Sequence, residues 1–180
     1  MLKRRIKLGF GIGDLGGNLF FTIIGFYLLY YFTDVISLSP ALAGTALMIG
    51  KVWDAVTDPV TGYLSDRTHT RFGRRRPYMF IGSIISFFCM GLIFTPIELS
   101  SQARLFVYVT FLYCLLNTAY TLVNIPYAAL LPELTEDYHE RTILTGYRMS
   151  FAVLGTFFGA ALVLPIVGLF SDVNRGWSVM

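Results

Sequence analysis

Five long apolar windows dominate this chain, at about residues 8–32, 41–64, 78–94, 105–131 and 143–170. A helix needs about 20 mostly apolar residues to cross the hydrocarbon core of a bilayer, with a range of roughly 17–25. Each window supplies that. The runs are continuous and show no ten-residue alternation, so helices rather than barrel strands are expected to satisfy the backbone. Of 180 residues, 55% are hydrophobic and 14% charged, where an ordinary soluble domain carries about 25% charged residues. A soluble domain, a disordered chain and a disulfide scaffold are therefore excluded. Cys89 and Cys114 lie inside apolar windows without metal or redox spacing and read as buried thiols. A net charge of +3 is too small to point to nucleic acid. The expected fold is an all-α transmembrane bundle of about five spans.

Residues 1–7 are basic like the start of a signal peptide, but the apolar run behind them is too long and lacks a small-residue cleavage site. They precede a first span. Lys3, Arg4, Arg5 and Lys7 flank that span, and Arg67, Arg71, Arg74, Arg75 and Arg76 crowd the second connection. The first connection has no Lys or Arg, and the third has only Arg104. The excess of positive charge on cytoplasmic loops then predicts a cytoplasmic N-terminus. Parity puts residues 133–141 inside as well, and the segment after Phe170 outside. An odd span count with no polar tail and no closing span predicts a fragment or a truncated reading frame.

An ionised side chain at mid-membrane costs about 2.5–3.5 kcal/mol on insertion scales. The second window nevertheless carries Lys51, Asp54 and Asp58, followed by Pro59. Asp54 and Asp58 are four apart and share one helix face. Two carboxylates one turn apart need a positive charge between them. That charge is either Lys51, in an internal salt bridge with Asp54, or a bound Na⁺ or proton. Pro59 frees the Ala55 carbonyl from its helical bond, leaving one further oxygen for a cation. In the first window, Gly11, Gly13, Gly16 and Gly17 permit close helix packing, while Asp14 and Asn18 share a face that suits a polar cavity. Asn117, Tyr120, Thr121 and Asn124 form one polar stripe in the fourth window. Its partners are neighbouring helices or a bound solute. Arg148, early in the fifth, is a donor fork for a polar ligand or a carboxylate.

The second connection contains Gly62, Asp66, Arg67, Gly73, Arg74 and Arg76 in order. A basic loop can fix topology or bind anionic lipid; this ordered set also suits a hinged, charge-relaying gate. It resembles the loop between helices two and three of the major facilitator superfamily. With Tyr30-Tyr31-Phe32-Thr33-Asp34, Trp53-Asp54-Ala55, Asp58-Pro59, Arg71-Phe72-Gly73-Arg74, Arg76-Pro77 and Asn124-Ile125-Pro126-Tyr127, the chain resembles the glycoside–pentoside–hexuronide:cation symporter family, of melibiose permease type, along essentially its whole length.

That resemblance implies a twelve-helix carrier of two six-helix bundles with alternating access around a midplane site, of which residues 1–180 supply the N-terminal bundle, truncated before the sixth helix, with the C-terminal bundle absent. It implies a coupling cation, Na⁺ or H⁺, at Asp54 and Asp58, helped by Thr121 and Asn124. Sugar binding is implied at Asn18, Tyr120, Asn124, Ala128 and Arg148. Melibiose permease resembles this chain but has Asp where Asn18 and Asn124 stand, Lys where Gly17 stands and Trp where Ala128 stands, so a sugar other than melibiose is expected, and the Asn pair resembles members that carry glucuronides or pentosides. The implied protein is a multi-pass symporter of the cell (inner) membrane, in contact with lipid and with a C-terminal bundle, and needs no cofactor. The rival expectations are a lysophospholipid carrier and a non-transporting membrane scaffold. No nucleophile–base pair, metal spacing or phosphate loop points to an enzyme. His69 and His139 are expected in solvated loops, and an aspartyl dyad would need carboxylates from facing helices.

Overall fold

The computed structural model describes residues 2–97, 99, 101–171 and 176–177. Within them the chain is helical, with α1 at Arg4–Tyr30, α2 at Pro40–Arg67, α3 at Arg76–Ile93, α4 at Gln102–Ala128, a short α5 at Leu130–Leu134 and α6 at Tyr138–Gly168. The five long helices match the five apolar windows. α1 runs on into one π-helical turn at Tyr31–Val35 before Ser37, whose φ of 57° reverses the chain. By length and apolarity, α1 with its π turn, α3, α4 with α5, and α6 can each cross a membrane. α2 has the length, at 28 residues or about 42 Å, but its charged stripe dilutes its apolarity. The protein is an integral membrane protein. Phe80, Phe87 and Phe157 stand on the bundle's exterior, where lipid rather than water suits them.

The helix ends follow local chemistry. Pro40 opens α2 and Pro77 lies in the first turn of α3, where a missing N–H costs nothing. The side chain of Asp137 accepts from the His139 N–H at 2.8 Å and caps α6. This cap starts α6 five residues before the expected 143 and places His139 in its first turn rather than in a loop. At α4 the helix stops at Ala128, and α5 carries Pro132 within its single turn. The segment after Phe170, expected on the far side, lies largely outside the described residues.

Packing divides the helices into a pair and a trio. α1 lies along α6, α4 lies between α2 and α3, and α1 and α2 scarcely touch although they are consecutive. Small residues set the crossings. A Cβ at Gly155 would lie 2.3 Å from the Leu15 carbonyl oxygen, and one at Gly82 would lie 2.8 Å from the Ala119 carbonyl oxygen. At Gly50 it would overlap the Tyr113 ring at 2.2 Å. Gly11 and Gly13 are similarly filled by Phe151 and Tyr127, but Gly16 and Gly17 face open space. At the end of the bundle opposite the basic loop, Tyr31, Phe94 and Trp177 form a buried aromatic cluster, with Phe94 and Trp177 stacked at 5.7 Å. It joins the trio to α1.

Gly155→Ala forces a methyl group into a backbone carbonyl that cannot yield, an overpacking worth about 1–3 kcal/mol. Thermal unfolding in detergent is expected to fall by several degrees for Gly155→Ala and to stay unchanged or rise for Gly91→Ala, whose added Cβ meets nothing within 4 Å.

Candidate functional site

The gap between α1, α2 and α4 is a cavity of about 220 Å³ lined by Phe20, Phe21 and Gly25 of α1, Lys51 and Asp54 of α2, and Tyr120 of α4, among others. That is less than the roughly 300–1,000 Å³ of a complete ligand pocket. Tyr120 stacks on Phe20 with ring centroids 5.1 Å apart and planes 4° from parallel. Such a flat aromatic wall offers its face to an apolar or sugar ring.

The helical spacing brings both α2 carboxylates to one hydroxyl. The Thr121 hydroxyl of α4 lies 3.2 Å from Oδ1 of Asp54 and 2.9 Å from Oδ1 of Asp58. One hydroxyl carries one proton and donates to one carboxylate at a time. Lys51 reaches the other oxygen of Asp54 at 3.5 Å, and its side chain is 56% exposed. The salt bridge and the paired carboxylates therefore coexist, and the trio of charges keeps one net negative charge. Asp54 and Asp58 are both half-buried. Among the described residues no group of three or more His, Cys, Asp and Glu side chains assembles, and Asp54, Asp58 and Thr121 meet through oxygen atoms alone.

The rest of the α4 stripe divides by role. The Asn117 amide donates to the Gly50 carbonyl at 3.3 Å and holds α4 to α2. Asn124 is half-buried one turn beyond Thr121 and makes no hydrogen bond to either carboxylate, and Ala128, a further turn along, is exposed. Asn18 donates to the backbone carbonyl of Asp14 at 2.9 Å. Arg148 grips Asp14 with both arms: Nε donates to Oδ2, and Nη2 donates to Oδ1 at 3.2 Å. Its guanidinium lies 5.1 Å from the Tyr127 ring and 5.5 Å from the Phe10 ring. Of the alternatives open to this fork, the structure fills it with a carboxylate.

At the basic end, Gly73 adopts φ 98° in the turn before α3, a conformation that suits glycine. Arg75 pairs with Asp66 at 3.0 Å and with Glu133 at 3.0 Å, and Arg74 reaches Glu133 at 3.5 Å. These pairs tie the end of α2 to α5. Arg67 lies over the Tyr63 ring at 4.2 Å, Gly62 packs near Ile125, and Arg76 opens α3. Glu133 is absent from the residues expected of this gate, which centre on Asp66 and Arg74 to Arg76. Nothing in three consecutive arginines distinguishes the one that turns inward. Asp14 was legible as an acid needing a partner, and Arg148 is the one basic residue in the fifth window. Lys7 and Glu140, buried together at 2.9 Å between α1 and α6, form a further tie at this end.

Residues 9–180 match the family of MFS/sugar transport proteins. The chain is 43% identical over 171 residues to an uncharacterized symporter of Synechocystis, covering 92% of this chain and 31% of that protein. It is 39% identical over 166 residues to a sodium-dependent lysophosphatidylcholine symporter of Danio rerio, covering 91% and 30%. It is 32% identical over 176 residues to an isoprimeverose transporter of Lactiplantibacillus pentosus, covering 95% and 36%. The chain thus spans about a third of the length of these curated relatives.

Glu133→Gln removes the acceptor charge shared by Arg74 and Arg75. A partly exposed pair of this kind is worth about 1 kcal/mol, so trypsin is expected to cut at Arg74 and Arg75 roughly fivefold faster in the variant, read from timed digests.

Proposed function

We propose a coupled-transport function for this chain, which belongs to the MFS/sugar transport protein family. In the proposed reading it is the N-terminal bundle of a cation-coupled symporter of the inner membrane that carries a glycoside, pentoside, hexuronide or related sugar, with its basic end in the cytoplasm. A sixth helix and a second helical bundle complete the carrier and supply the facing half of the solute site. The observation that carries the reading is the Thr121 hydroxyl joining Asp54 to Asp58 across α2 and α4.

Without a cation, the two carboxylates repel and share one donated proton. A Na⁺ ion or a proton between them cancels the remaining charge and draws α2 toward α4. Asn124, one turn along, and the Ala55 carbonyl released by Pro59 are the next oxygens within the same helices. Tightening α2 against α4 moves Tyr120 and Asn124, which with Asn18, Ala128 and Arg148 form this half of the solute site. Cation and solute then raise each other's affinity by the same factor. The Asp66–Arg75–Glu133 pairs close the cytoplasmic end and must part when the carrier opens inward.

A second reading, a lysolipid as solute, is favoured by one observation. Phe20, Phe21, Ile24, Leu29 and Leu47 give the cavity an apolar wall, and one relative is named a lysophosphatidylcholine symporter. Competition distinguishes the two, since sugars or lysolipids, but not both, will block uptake.

In cells producing the complete carrier, uptake across a panel of labelled glycosides is expected to be stimulated by Na⁺ or by a proton gradient. Asp58→Asn abolishes that stimulation. Thr121→Val, losing a hydrogen bond to a charged group, raises the half-saturating cation concentration about tenfold. Cation-stimulated uptake unchanged in Asp58→Asn contradicts the proposal.

A further inference from the structure

We propose that the exterior of α4 carries a phospholipid site, in which Arg104 takes the lipid phosphate and a trough from Val107 to Trp53 takes one acyl chain. The site is separate from the solute cavity and does not depend on what the solute is.

Two adjoining hollows build the trough. One, of about 520 Å³, is lined by Arg104, Val107 and Phe111 with Ala103 and Tyr108. The other, of about 530 Å³, shares Val107 and Phe111 and continues past Cys114 and Leu115 to Thr118 and Trp53. Val107, Phe111 and Trp53 are large, apolar and exposed, a continuous patch that calls for a partner. The inner end is fixed in place. The Trp53 indole N–H donates to the Thr118 hydroxyl at 2.8 Å, and that hydroxyl donates to the Cys114 carbonyl at 2.9 Å. These bonds hold the indole ring as an end wall and leave neither side chain with a spare donor. The trough also lies on a different face of α4 from the solute cavity, to which α4 contributes Tyr113, Asn117 and Tyr120. The second bundle of the proposed carrier faces that cavity, which leaves the trough to the bilayer.

Length and charge select the occupant. An α-helix rises 1.5 Å per residue, so the stretch from Val107 to Thr118 is about 16 Å long. The hydrocarbon of one leaflet is about 15 Å deep, half of a core of about 30 Å. An acyl chain in the trough therefore reaches from the interface to the midplane. Arg104 stands in the first turn of α4, one turn before Val107, at the level of that leaflet's headgroups. Its guanidinium matches a phosphate with paired N–H donors, while its stem lies along the apolar wall. Arg104 is the one Lys or Arg between Pro77 and Glu140, so α3 and α4 offer the phosphate no second cationic anchor. A phosphate not already paired with an ammonium of its own headgroup suits a lone guanidinium best. That selects phosphatidylglycerol over phosphatidylcholine.

The test uses the complete protein in phosphatidylcholine nanodiscs. They hold a trace of phosphatidylglycerol with a diazirine at the end of one acyl chain. After irradiation, the labelled residues are mapped by mass spectrometry. Label on Leu115, Thr118 and Trp53 is expected to exceed that on the exterior residues Phe87 and Phe157 at least fivefold. Arg104→Gln is expected to lower the trough label roughly fivefold and to leave the label on Phe87 and Phe157 unchanged, while Arg104→Lys keeps most of it. Added unlabelled phosphatidylglycerol displaces the probe. Equal label on the trough and on the other faces is ordinary lipid contact and overturns the inference. A trough without label, covered by the second bundle or by a second copy of the chain, overturns it too. So does trough label that Arg104→Gln leaves unchanged, or that added phosphatidylcholine displaces as well as phosphatidylglycerol does.

Discussion

Ionised side chains inside an apolar bundle must find partners there, because hydrocarbon supplies none and an isolated charge costs about 2.5–3.5 kcal/mol even on lenient scales. Asp14 of α1 meets Arg148 of α6, and Asp54 and Asp58 of α2 meet Thr121 of α4. Of these residues Asp54 lines the cavity between α1, α2 and α4, while the Asp14–Arg148 pair lies between α1 and α6. The arginine meeting joins the α1–α6 pair, and the Thr121 meeting stabilises the α2–α4 face of the trio. The contacts between the pair and the trio include the Phe20–Tyr120 stack, Tyr127 on Phe10, Arg148 over Tyr127 and the aromatic cluster around Tyr31.

That division has a mechanical meaning. Tight crossings at Gly155, Gly82 and Gly50 make each half stiff, since a single added methyl has nowhere to go. In the proposed carrier the loose seam between α1 and α2 takes the solute and is where relative movement is cheapest. A cation acting on Asp54 and Asp58 pulls on the trio's side of the seam, and a solute touching Arg148 pulls on the pair's side. Coupling in the proposed carrier is then a property of one seam bearing charges on both walls.

Much of this was legible in the residues. An acid four positions from an acid in an apolar helix announces Asp54 and Asp58, and the stripe from Asn117 to Asn124 announces the facing wall. The division of labour within that stripe was not legible, because whether an amide meets a carbonyl or a cavity depends on where the neighbouring helix crosses; Asn117 is consumed by the Gly50 carbonyl. The partner of Arg148 lies 134 residues away in sequence, and only the α1–α6 packing brings it near. The early start of α6 was hidden because charged residues after Asp137 read as loop, whereas its cap lets them begin a helix. The inward turn of Arg75 depends on Glu133, which sits beyond Pro126 and the break between α4 and α5 at Ala129.

In the proposed carrier Asp54, Asp58 and Thr121 together hold one coupling cation whose binding is linked to that of the solute. The most direct test is calorimetric titration of the purified complete carrier with its glycoside, with and without Na⁺, in buffers of different ionisation enthalpy. Each glycoside bound is expected to bring with it either one Na⁺ or one proton, and cation and glycoside are expected to strengthen each other by the same factor. Glycoside binding that is indifferent to Na⁺ and takes up no proton would contradict it.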